Sequence, residues 1–269
     1  MIPLLLTASV DTRGMKGAMF AAGEREKMYV DTLNFYIQEF ERRDIHGRIV
    51  FVENSGWRKE SVMQKLRSSK VVEIEYIALD TEGFMQEKGK SYNELLMMDQ
   101  AIERSKLIQK AGCFFKLTGR FPIMNALDLV REAERWGERH GGVRFYGDCK
   151  DHRIFDWVGV NINGHVGESR YYAVSTEFWN QHFRGRYVDM YDYDGRIVEN
   201  LILDVIRKTK HEQGVHCRYR TQARFTGSGG HSLGSGSSFF HSTDNDSLVV
   251  KTKLGIRQLI RWALPWLWL

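Results

Sequence analysis

The amino-acid sequence predicts an α/β protein, a mixed and mostly parallel sheet flanked by helices, followed by an amphipathic C-terminal tail. Three observations point there. Strand-like and helix-like stretches alternate through the first half of the chain, the pattern of a parallel sheet with crossover helices. Two of the strand-like runs are apolar without interruption, as strands covered on both faces are. With 42% hydrophobic residues among 269 and three prolines, the chain can bury one main core and carries no low-complexity body.

The elements follow in order. Leu4-Leu5-Leu6 reads as a first buried strand and not a signal peptide, because no basic region precedes it and Thr7, Ser9 and Asp11 follow. From Glu24 to Phe40 the apolar residues Tyr29, Leu33, Tyr36, Ile37 and Phe40 fall on one helical stripe. Arg48 to Glu53 is a buried strand closed by Asn54-Ser55-Gly56. Val71 to Leu79 alternates Val72, Ile74 and Tyr76 with Glu73 and Glu75, the mark of a strand with one wet face. A long helix is expected over Ser91 to Lys110, with Ser91 and Glu94 as a capping box. Cys113 to Thr118 is the next strand. The second half predicts strands near Val143–Tyr146, Trp157–Asn161 and Tyr171–Val174, and helices near Asn125–Trp136, Glu177–Phe183 and Val198–Lys208.

The expected organisation is one domain over 1–225, a Gly/Ser-rich loop over 226–246 and a basic, aromatic tail over 247–269. Three widely spaced cysteines exclude a paired zinc motif and read as reduced thiols. The net charge is +5, and Lys251, Lys253, Arg257 and Arg261 supply four of those charges in a stretch with no acid. Charge so placed, beside Trp262, Trp266 and Trp268, argues against a nucleic-acid face. It argues for an anionic membrane surface, and the tail is too short to span a bilayer. The expected location is therefore cytoplasmic, on the inner face of the cell membrane.

In such a sheet, ligand-binding loops gather at the carboxyl ends of the strands. Thr7, Ser9 and Asp11 follow the first strand, where hydroxyls and a carboxylate can hold a nucleobase and ribose. Arg25 on the first helix can reach a phosphate, and Asn54 and Ser55 can grip ribose; a polar surface and an ordinary turn are the alternatives. Lys116-Leu117-Thr118-Gly119-Arg120 brings two cations and a hydroxyl to the rim of the sheet, a pattern suited to pyrophosphate. The alternative pairs Lys116 with a helix carboxylate. Glu168 and Arg170 precede a strand, and Glu199 opens a helix, where it can serve as a general base. Asp192/Asp194 and Asp244/Asp246 repeat an Asp-x-Asp spacing, with Asp148 and Asp151 as further acids, yet none of these identifies a metal site. The Gly/Ser loop with His231 can fold over phosphates or close as a lid.

On the first-strand end Thr7–Asp11, the strand and turn Ile49–Gly56, the Gly89–Arg120 segment, Glu168-Ser169-Arg170 and the helix start Gly195–Glu199, the chain resembles a GT-A-type glycosyltransferase. It is most similar to the bacterial enzymes of capsule and lipopolysaccharide biosynthesis. The resemblance implies a Rossmann-like GT-A fold, a nucleotide-sugar donor (UDP-, GDP- or CMP-linked) held by the first-half loops, and a glycan or lipid-linked acceptor held by the second half. It also implies a catalytic carboxylate near Glu199. Such enzymes often carry an Asp-x-Asp motif for Mg²⁺ or Mn²⁺ after the central strand, where Thr118-Gly119-Arg120-Phe121 here has no acid. Two other readings stand beside this one: a sugar nucleotidyltransferase, for which Arg13-Gly14-Met15-Lys16-Gly17 is a partial match, and a non-catalytic membrane adaptor.

Overall fold

The computed structural model describes residues 1–79, 81, 83–151, 157, 164–225 and 248–264. Among these, seven strands form one sheet in the order β3-β2-β1-β4-β8-β5-β9. They are β1 (Leu4–Ala8), β2 (Gly47–Glu53), β3 (Val72–Ala78), β4 (Cys113–Thr118), β5 (Phe145–Tyr146), β8 (Tyr171–Ser175) and β9 (Val215–His216). A separate ribbon pairs β6 (Cys149–Asp151) with β7 (His165–Gly167). The helices are α1 (Ala22–Arg42), α2 (Lys59–Met63), α3 (Lys90–Arg104), α4 (Lys106–Ala111), α5 (Ala126–His140), α6 (Thr176–His182), α7 (Val198–Thr209) and α8 (Leu248–Ala263).

Pleating sends alternate residues of each central strand to opposite faces, and both faces are apolar. Leu5, Val50, Val52 and Phe114 pack on one side with Leu95 and Met98 of α3 and Ile202 and Ile206 of α7. Leu4, Leu6, Ile49, Phe51, Phe115 and Leu117 pack on the other with Leu33 and Ile37 of α1 and Leu129 and Val130 of α5. The strands β3, β2, β1 and β4 are parallel, while β8 enters antiparallel to both β4 and β5. From β1 the chain passes outward to β2 and β3 and then returns to β4 on the other side. The carboxyl ends of β1 and β4 therefore flank a topological switch point, the place where open α/β sheets hold ligands. Thr7 pairs with Thr118 at that edge.

Two sequence expectations change. The long helix over 91–110 is broken: Ser105 leaves the helical conformation, its Oγ accepts from the Ile108 amide at 3.1 Å, and α4 begins there. A hydroxyl that donates to Glu75 Oε2 at 2.5 Å while capping a second helix outweighs continuation of the first. The Ser91–Glu94 capping box does not form either. Gly89 occupies the N-cap with φ +92°, and the cap comes from across the fold, the Asp192 carboxylate accepting from the Lys90 amide at 2.6 Å and the Ser91 amide at 3.2 Å. The expected strand over 157–161 and the Gly/Ser loop fall outside the described residues, apart from Trp157.

Candidate functional site

A cavity of about 450 Å³ opens at the switch point. The ends of β1 and β4 form its floor through Thr7, Ser9, Thr118 and Arg120. Arg25 and Tyr29 of α1 and Lys90, Asn93 and Glu94 of α3 form two walls, and Asp148, Lys150, Glu168, Ser169, Arg170 and Glu199 close the far side.

The walls differ in how far their charges are already committed. Arg25 is buried and spent on the fold: its Nε donates to the Ser9 carbonyl at 2.8 Å and its guanidinium to Tyr29 Oη at 3.2 Å. Glu168 binds Arg170 in a two-point ion pair, with Arg170 Nε at 2.6 Å, and Arg170 also stacks over Phe225. Burial alone would raise the Glu168 carboxyl, yet Arg170 holds it below the usual range. Asp148 is gripped by Arg261 Nη1 at 2.7 Å, Arg218 Nη1 at 3.4 Å and Tyr171 Oη at 3.0 Å.

Lys116 does not reach the rim, which corrects the expectation of two cations there. It alternates with Leu117 and so faces α3, where it is 1% exposed, ion-paired with Glu94 and donating to the Ser169 carbonyl at 2.6 Å. Burial works against ionising Glu94, but Lys116 and then Lys90 outweigh it and hold the carboxyl down to about 2. The Lys90 ammonium sits 3.4 Å from Glu94 and 3.9 Å from Glu199, and those acids, Glu94 foremost, push its pKa up. It is a fixed positive charge on the cavity wall.

Arg120 is different. No ion pair to it forms among the described residues, and its Nε is buried with no hydrogen-bond partner. Desolvation pushes its pKa below the ordinary guanidinium value, the sign of a cation whose burial is uncompensated. Glu199 is the carboxylate with most capacity left: Ser169 Oγ donates to Oε1 at 2.6 Å, Lys90 lies farther off, and its side chain is 25% exposed.

Four other expected ligand-binding residues lie behind the cavity wall or stand in for structure. Asn54 Oδ1 accepts from Ser9 Oγ at 2.6 Å, and Ser55 Oγ accepts from the Asp11 amide at 2.9 Å. Together with buried Glu53, which accepts from the amides of Val10, Ser55 and Trp57, they tie the loop after β1 to the turn after β2. Asp11 itself accepts from the Arg13 amide, so Asp11, Asn54 and Ser55 shape the loop and do not line the cavity. Gly119 is a packing residue, because a Cβ there would stand 2.6 Å from the Thr7 carbonyl oxygen. It lets the β4 loop lie against β1.

The donor set for a divalent ion does not assemble among the described residues. The Asp192/Asp194 triplet is split, Asp192 capping α3 and Asp194 pairing with Arg196 at 2.7 Å, while Asp244 and Asp246 lie outside the described residues. The sequence analysis passes over Lys90 and Asn93, takes Glu94 only as part of a helix cap and names Asp148 only among acids that could hold a metal. Their only signal was polar residues at positions of a helix or loop that otherwise had to be buried.

No family model matches the chain, and no curated protein matches it. Several solved structures resemble it in part, among them the following three. Mouse xyloside xylosyltransferase 1, in its apo form, shares 12% identity with a TM-score of 0.44, over 80% of this chain and 84% of that one. The WbbM bifunctional glycosyltransferase, also apo, shares 10% with a TM-score of 0.39, over 79% of this chain and 38% of its own. HddC from Yersinia pseudotuberculosis shares 10% with a TM-score of 0.31, over 66% and 78%.

Proposed function

We propose that this protein is a glycosyltransferase that moves a sugar from a nucleotide diphosphate donor to a hydroxyl of a glycan or lipid-linked acceptor. The observation that carries this reading is Arg120: a desolvated guanidinium without an acidic partner, at the end of β4, in one cavity with a carboxylate that keeps an oxygen in reserve. A diphosphate supplies the charge that Arg120 lacks, and Lys90 adds a second positive charge on the α3 wall.

The chemistry follows from that pairing. The acceptor hydroxyl gives its proton to Glu199 as its oxygen forms a bond to the anomeric carbon. The bond from that carbon to the diphosphate oxygen breaks, and the electron pair leaves on the nucleoside diphosphate. Arg120 stabilises the negative charge as it develops, and its buried Nε is shielded from competing water. Ser169 and Lys90 hold Glu199 in place for the transfer.

Glu199→Gln tests the base. Transfer should fall by about 10²- to 10⁴-fold, the range for a positioned general base, with nucleotide affinity unchanged. Full activity in the folded variant would remove Glu199 from the role.

A further inference from the structure

The helix α8 is attached to the body by one side only. Arg261 is 7% exposed; its guanidinium donates to the Tyr219 carbonyl at 3.1 Å and pairs with Asp148 of the cavity wall at 2.7 Å. Three residues earlier, Gln258 exchanges hydrogen bonds with the backbone of Arg220 and Gln222. This corrects the sequence expectation that Arg261 belongs to a lipid-facing group of cations. It is instead the anchor that fixes the helix.

The opposite side carries exposed apolar side chains. Ile256, Leu259 and Trp262 are 53%, 65% and 71% exposed and recur at the i, i+3, i+6 spacing that keeps them on one face. Leu248 lies on the same side and is also exposed. A monomer rarely leaves so contiguous an apolar face to water. The helix sequence adds Lys251, Lys253 and Arg257, and no Asp or Glu occurs after Asp246. An apolar face within an acid-free, cationic helix is complementary to a surface that is apolar inside and anionic at its boundary. No helix among the described residues is long and apolar enough to cross a membrane.

We propose that α8 docks the protein flat on an anionic lipid bilayer through Ile256, Leu259 and Trp262, with Arg261 holding the cavity wall in fixed relation to the membrane plane. Docking of this kind takes both terms, buried apolar area and attraction to anionic headgroups. The proposal does not rest on sugar transfer, because binding needs no nucleotide.

The test is co-sedimentation of the full-length chain with vesicles of phosphatidylcholine alone and of phosphatidylcholine with phosphatidylglycerol. Binding to the anionic vesicles should exceed that to the neutral ones by about tenfold or more, and should fall as salt is raised beyond the range where surface charges interact. Leu259→Ser with Trp262→Ser should abolish most of it while the protein melts as the parent does, since both side chains are exposed. Equal binding to the two vesicle types, no binding to either, or unchanged binding by the double variant would overturn the proposal. So would a parent protein that is dimeric and becomes monomeric on the double substitution, which would assign the face to a second copy.

Discussion

Replacing Lys116 with methionine separates structure from ligand binding at this site. The lysine is almost wholly buried, and its partner Glu94 is 6% exposed. Removing one member of such a pair leaves the other as an uncompensated buried charge, at a cost of about 3 to 5 kcal/mol. For a protein of this size that corresponds to roughly 6 to 20 °C in melting temperature. In urea, with an m-value of about 3 kcal/mol/M, the midpoint should move by about 1 to 1.7 M.

The pH dependence sharpens the test. In the parent the Glu94 carboxyl is depressed from 4.5 to about 2, so its contribution is fully present above pH 4.5 and is lost as pH falls towards 2. That contribution is about 3 kcal/mol at neutral pH. In Lys116→Met the carboxyl loses its main partner and burial drives its pKa up, so acid now relieves the variant while it weakens the parent. The stability gap must narrow between pH 7 and 3. Adding Glu94→Gln should restore part of the loss at neutral pH, because the orphaned charge is then gone. A Lys116→Met protein within about 1 kcal/mol of the parent, or a gap that does not change with pH, would refute the buried pair.

Other outcomes follow from the same geometry. Arg120→Met should weaken nucleoside diphosphate binding by roughly 30- to 150-fold, about the worth of one strong hydrogen bond to a charged group, with the melting temperature of the free protein unchanged or raised; isothermal titration reads it. Lys90→Met should weaken diphosphate binding more than binding of the uncharged nucleoside, measured the same way. Asp192→Ala should cost about 1 kcal/mol in denaturant unfolding by uncapping α3. Gly89→Ala should cost more, as its Cβ would meet Asp192 at 2.7 Å in a backbone conformation with φ +92° that L residues resist.

The parts of the fold that the sequence shows are those with local cause. The strands β1 to β4 and the helices α1, α5 and α7 announce themselves by continuous apolar runs or helical stripes, and their ends are set by neighbouring Gly, Asn and Ser. The antiparallel entry of β8 and the two-residue strand β9 depend on pairing between distant segments. The caps on α3 and the break at Ser105 likewise come from Asp192 and Glu75, remote in sequence.

The site divides in the same way. Position at strand ends brings Thr7, Ser9, Thr118 and Arg120 to one cavity, and Glu168, Arg170 and Glu199 line it as well. Which polar residues face a ligand and which face each other is a tertiary matter. Lys116 shows this most directly: a lysine in a strand covered on both faces must be paired, but nothing local names Glu94 as the partner. Arg120 sits four residues on, past the strand end, where no acid among the described residues forms an ion pair with it.

The most direct measurement is the melting temperature of the parent and of Arg120→Met with UDP, GDP and CMP and their sugars, each with Mg²⁺, Mn²⁺ or EDTA. A nucleotide that binds the native state at 100 times its Kd stabilises by about 2.7 kcal/mol, or roughly 5 to 11 °C here. The account predicts such a shift with one diphosphate nucleotide in the parent and its near loss in Arg120→Met. A cooperative melt that none of these ligands moves, or an equal shift in both proteins, would contradict it.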